Sequence, residues 1–109
     1  MADSGLPRSF LRPMLLVSLA GGSSHGYELA ERLWQFGLVG VDLAGMYRTL
    51  RIMEHEDLVV SRWEPSELGP PRRVYTLSPA GVAALGQQVT WLREARGFLD
   101  RALDAVASG

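Results

Sequence analysis

Every one of the 11 basic residues in this 109-residue sequence is arginine, and lysine and cysteine are both absent. Four arginines sit where their chemistry could converge on one partner. Arg48 and Arg51 are three positions apart, and Arg72 and Arg73 follow the stiff pair Pro70-Pro71. A guanidinium presents its N–H donors in a flat fork, so it can grip a guanine edge or a phosphate with two bonds at once. The formal net charge is −1, which excludes a partner held by bulk positive charge. The arginine-only usage is itself compositional, as a high-GC genome produces, so the argument must rest on where the arginines sit.

Catalytic chemistry finds less support. His25 opens the run His25-Gly26-Tyr27, yet no nucleophile and orienting acid accompany it at a readable spacing. His25 and His55 are too far apart for an i, i+4 metal-binding pair, and without cysteine there is no thiolate site or disulfide framework. A structural histidine bonded to nearby backbone is the reading for His25. No cofactor and no metal are expected, and the chain reads as a binding protein, not an enzyme.

The arginines need elements to aim them. A hydrophobic fraction of 47% suits a folded chain, though one this short buries only roughly 60–70% of its unfolded surface. Residues 1–8 read as a flexible arm. Ser9 to Ala20 fits a largely buried helix carrying Phe10, Leu11, Met14, Leu15, Val17 and Leu19, with Pro13 tolerated near its first turn. After the breaker Gly21-Gly22-Ser23-Ser24, Ser23 or Ser24 is expected to cap a second helix, with Glu28 near its start. Its apolar side is predicted from Tyr27, Ala30, Leu33 and Trp34, and Gly37 is its stop. Asp42 is the predicted N-cap of a third helix, where Leu43, Met46, Tyr47, Leu50 and Met53 recur at helical spacing. Burying that stripe forces Ala44, Gly45, Arg48 and Arg51 outward. Small residues and forked donors on one helix face suit entry into a DNA major groove. Tyr47 lies at the stripe's edge, where its ring can be core while its hydroxyl reaches a phosphate.

Two strand-like runs follow, Leu58 to Glu64 and Arg73 to Leu77. The intervening PSELGPPR holds a glycine and three prolines, and is expected to be a long loop without regular structure. Helix–helix–helix–strand–loop–strand is the winged helix-turn-helix order, so the fold class is mainly α with a small β-hairpin. Arg72 and Arg73 then sit at the base of the wing, where they can clamp a DNA backbone.

Ser78 is expected to cap a long helix opening at Pro79 and running to about Ala107. One apolar seam on it is Val82, Leu85, Val89, Leu92, Leu99, Leu103 and Val106, interrupted by Arg96. A second is Ala84, Trp91, Ala95, Phe98, Ala102 and Ala105. A terminal helix apolar on two sides cannot hide both against one small domain, so a homodimer is expected. Its interface is assigned to Val82, Leu85, Val89, Leu92, Phe98, Leu99 and Leu103, with Phe10 and Met14 of the first helix. Trp91 and Phe98 are the candidates for a small-molecule effector site. Residues 9–77 form the expected DNA-binding unit and 78–109 the dimerisation helix. Met14 to Ala20 is too short to cross a membrane, and the first four residues lack the positive region of a signal peptide. The chain is read as cytoplasmic.

The runs HGYELAERL, AGMYRTLRIMEHEDLVVSRWE and GPPRRVYTLSPAG, in that order, resemble the PadR family of transcriptional regulators over about Phe10 to Gly81. The resemblance implies a winged helix-turn-helix with a C-terminal dimerisation helix, mostly repressing genes at near-palindromic operators and often releasing DNA when a small molecule binds. By position it places Tyr47, Arg48 and Arg51 on the recognition helix, Gly69 to Arg73 on the wing and Ser78 to Gly81 on the turn into the long helix. Tyr27 of the first run joins the candidate DNA contacts. The single short C-terminal helix resembles the small subfamily, in some members of which a tryptophan placed like Trp91 stacks on flat aromatic molecules between subunits. Met46 and Met53 stand where the family usually has leucine, swaps that conserve volume. The lead-in LPRSFLRPMLLVSLA and the run VDLAGMYRTLR are similar to the poly-β-hydroxybutyrate-responsive members. The expected partners are double-stranded DNA, a second copy of the chain and a small-molecule effector. The alternative is a winged-helix protein-interaction module without DNA binding.

Overall fold

A computed structural model describes residues 8–38 and 40–109, so the expected N-terminal arm lies outside it except for Arg8. A short 3-10 turn, Arg8–Phe10, leads into α1, Leu11–Leu19, which is apolar nearly all round and buries Leu15, Leu16 and Leu19.

The chain then forms a two-residue strand, β1, Ser24–His25, and enters α2, Gly26–Gln35. The expected serine cap gives way to His25, whose Nδ1 accepts the Glu28 N–H at 3.3 Å. Ser24 is committed to the sheet, so the helix starts one residue later than a serine cap would set it. Leu29, Ala30 and Leu33 therefore face inward. Tyr27 and Trp34, expected on that face, flank it roughly a quarter-turn away and are 60% and 38% exposed. Gly37 ends the helix with φ 101°, and the Leu38 N–H reaches the Leu33 carbonyl at 2.9 Å. That left-handed turn folds Leu38 back into the core, as a Schellman motif does.

Asp42 caps α3, Leu43–His55, by accepting the Gly45 N–H at 2.7 Å, as the sequence predicts. Met46, Leu50 and Met53 are completely buried, with Leu43 and Tyr47 partly covered beside them. Asp57 takes the left-handed conformation at the end of α3, and the Leu58 N–H bonds to the Met53 carbonyl at 2.9 Å.

The hairpin departs from its expected form. β2, Val59–Ser66, and β3, Gly69–Leu77, extend through the proline-rich run and leave only Glu67-Leu68 as the turn. Pairing runs from Val59↔Leu77 to Glu64↔Arg72 and resumes at Ser66↔Gly69. Between those pairs β3 has Pro70 and Pro71 where β2 has only Pro65, which makes a bulge. All three prolines thus fall where no ladder hydrogen bond is required of them. The sheet order is β1-β3-β2, with Ser24↔Tyr75 and His25↔Val74 joining β1 to the hairpin.

Ser78 caps α4, Pro79–Ser108, by accepting the Gly81 N–H at 3.0 Å. Gly81 is required there: a Cβ would overlap the carbonyl oxygen of Leu58. The first turns of α4 lie on α1, with Ala84 and Leu85 against the core and Trp91 packed at a tilt of 58° against Phe10, 5.3 Å between ring centroids. Beyond them Leu99, Leu103 and Val106 are 53%, 67% and 80% exposed. The fold is the mainly helical winged-helix architecture expected from the element order.

Candidate nucleic-acid interface

The buried stripe of α3 decides what its other face presents. With Met46, Leu50 and Met53 inside, Ala44, Arg48 and Arg51 are exposed and Gly45 is half-covered by the Asp42 cap. Among the described residues neither Arg48 nor Arg51 has a carboxylate within salt-bridge reach. Two unneutralised guanidinium groups on one exposed helix face keep their full charge for a ligand.

Tyr47 fixes α3 against the start of α2. Its ring and hydroxyl lie so close to Gly26 that a Cβ there would collide with them. Tyr47 there lines a groove of about 910 Å³ bounded by α2, α3 and the hairpin. His25, Tyr27, Arg51, Trp63, Arg72 and Arg73 open onto the same groove, with Leu68 to Pro71 forming its outer lip. Five of the eight sequence-expected contacts, Tyr27, Tyr47, Arg51, Arg72 and Arg73, thus line it; Ala44, Gly45 and Arg48 extend the surface along α3.

The two wing arginines differ. Arg73 Nε donates to Ser61 Oγ at 2.9 Å, its Nη2 lies 3.5 Å from Glu54 Oε1, and its guanidinium covers the Trp63 ring at 5.3 Å. Ser61 in turn donates to the other Glu54 oxygen at 2.5 Å. This arginine ties β3 to β2 and to α3 while remaining exposed at its edge. Arg72 instead points its Nη1 at His25 Nε2, 3.3 Å away. Neither set of partners was readable in sequence, because Trp63 faces Arg73, and Glu64 faces Arg72, only once the strand register exists.

Two titrating groups report on this region. The Glu28 carboxyl lies below its ordinary range, chiefly because the Ser24 hydroxyl donates to it at 2.5 Å, with Arg32 adding to the effect. Burial raises the Tyr75 phenol, and the neighbouring Arg73 opposes that shift. Among the described residues there is no cluster of three or more metal-ligating side chains. Among the same residues no helix is long and apolar enough to cross a membrane.

Comparison with known proteins agrees with this geometry. The sequence profile of the transcriptional regulator PadR-like family matches residues 15–87. No curated protein sequence gives a significant match. A transcriptional regulator structure from Thermoplasma acidophilum superposes with a TM-score of 0.74 at 27% identity, covering 88% of this chain and 92% of that one. A PadR family regulator from Clostridium difficile gives 0.75 at 21% identity, covering 86% and 98%. PadR from Bacillus subtilis, solved in complex with operator DNA, gives 0.66 at 19% identity over 77% of this chain, which spans 48% of that protein. The profile covers more than half of the sequence and both α3 and the wing lie within it, so the chain belongs to the PadR-like family of transcriptional regulators.

Proposed function

We propose that this chain is a repressor that binds a near-palindromic operator as a homodimer and lets go of it when a small molecule binds. The observation that carries the DNA-binding reading is the exposed face of α3, where Arg48 and Arg51 stand without a carboxylate partner beside the wing groove. A structural relative crystallised with operator DNA supports the same use of the fold. Arg48 and Arg51 are assigned to base edges or adjacent phosphates, and Arg72, Tyr47 and Tyr27 to the backbone. Arg73 borders that surface while bracing the wing.

In this proposal residues 9–77 bind DNA and 78–109 dimerise. The bare Phe98, Leu99 and Leu103 motivate the second assignment, since exposed apolar surface of this extent on one helix calls for a cover. Val82, Leu85, Val89 and Leu92, with Phe10 and Met14, extend the same face toward the core. Two copies related by a two-fold axis would set their α3 helices into successive major grooves roughly 34 Å apart. An effector between Trp91 and Phe98 of paired subunits could change that spacing only by binding one arrangement better than the other. The likeness to poly-β-hydroxybutyrate-responsive members makes storage-polymer genes the first operators to try.

A gel-shift titration against the promoter of the chain's own gene tests the proposal. Binding at low salt that is lost in an Arg48→Ala/Arg51→Ala variant is the expected result. No binding, or equal binding by the variant, would mean a winged-helix interaction module without DNA binding.

A further inference from the structure

His25 is placed between two hydrogen-bond donors that it cannot serve together. Its Nδ1 accepts the Glu28 N–H and so forms the cap of α2, while its Nε2 stands 3.3 Å from Arg72 Nη1. A neutral imidazole has one acceptor nitrogen and one N–H. With the acceptor engaged at Nδ1, the proton is on Nε2, and a guanidinium has no lone pair to receive it. The opposite tautomer would satisfy Arg72 and leave the Glu28 amide without its acceptor. While the cap holds, two N–H donors from separate elements face each other, and neither can accept from the other.

We infer that His25 Nε2 and the Arg72 guanidinium together hold one DNA backbone phosphate, making His25 a DNA ligand as well as a helix cap. A phosphate oxygen supplies the acceptor that the pair lacks, and it can take both bonds at once. The placement fits, because both residues open onto the groove that Arg51 also lines. The strand pairing His25↔Val74 fixes the distance between them, since it holds β1 against the part of β3 that carries Arg72. The inference rests on the DNA-binding reading above and assigns it a residue whose fold role alone would not require an exposed Nε2.

The test compares the full-length wild type with His25→Asn and Arg72→Gln on a duplex of unrelated sequence at low salt, because a phosphate contact is independent of sequence. Asparagine keeps an acceptor for the cap and removes the Nε2 donor. About fivefold to tenfold weaker binding by His25→Asn is expected, with thermal stability close to wild type. Arg72→Gln should also lower the slope of log K against log salt by about 1. The double variant should bind no more weakly than Arg72→Gln to within about twofold, because either donor alone holds the phosphate poorly. A series of duplexes of the promoter site, where the register is fixed, with one methylphosphonate each gives a second readout that does not depend on the stability of the variant. One position should weaken the wild type and leave His25→Asn unaffected. Wild-type affinity in His25→Asn, or no methylphosphonate position whose effect that variant abolishes, would overturn the inference. Failure of the wild type to bind any duplex would instead overturn the DNA-binding reading, and this inference with it.

Discussion

Gly26 is where α2 receives the Tyr47 ring of α3, and it shows how single residues set the interface. The Tyr47 ring occupies the space a side chain would need, so Gly26→Ala must displace that ring from its seat against α2. We expect that substitution to cost about 1–3 kcal/mol in urea denaturation at fixed protein concentration, and to weaken DNA binding. Glu28 makes a pH prediction at the same scale. Its carboxyl is held below the ordinary range in the folded chain, so its stabilising effect is complete above that range. It is lost as pH falls through the ordinary range toward the folded value. Glu28→Gln should flatten the acid limb of the stability curve measured by denaturation, and an unchanged limb would refute the assignment. The N-caps of α2 and α3 show what was legible in the residues. Asp42 was readable because an acid precedes a clean apolar stripe. His25 was not, because two adjacent serines offered better caps and only the pairing of Ser24 into β1 disqualifies them.

Among the elements, α3 was legible almost completely and the wing only in outline. A five-residue apolar stripe leaves one outward face for α3 whatever the fold does elsewhere, so Arg48 and Arg51 were fixed early. The hairpin depends on partners distant in sequence. Its prolines argue against pairing when read locally, yet the bulge puts all three at positions that owe no bond. The two residues of β1 are too few to leave a pattern. Arg73 joins the wing to α3 through Glu54, Ser61 and Trp63, so Arg73→Ala should loosen the hairpin without unfolding the core. Amide hydrogen exchange should become faster along β2 and β3 while Leu15, Leu33 and Leu50 keep their protection. A charge-reversed pair, Glu54→Arg with Arg73→Glu, should restore part of that protection.

For the whole molecule, extension is the informative property. The radius of gyration is 16.0 Å, against about 13 Å for a compact chain of this length, because α4 runs well beyond the body it caps. Its amphipathic seams announced an unpartnered helix in the sequence, and the exposed Leu99 and Leu103 have no cover among the described residues. Leu99→Glu/Leu103→Glu should convert a dimer into a monomer in sedimentation, at little cost to the fold, because neither residue is in the core. The same variant should bind operator DNA at least tenfold more weakly, since one recognition unit replaces two. With a net charge of −1, nothing but local arginine placement can supply a DNA-facing potential. The most direct test of that claim is the salt dependence of duplex binding, followed by fluorescence anisotropy for the wild type and for Arg48→Ala/Arg51→Ala. A steep fall in affinity with salt for the wild type, and weaker binding with a shallower slope for the variant, is the predicted result. Coincident curves for the two proteins, or wild-type binding indifferent to salt, would contradict it.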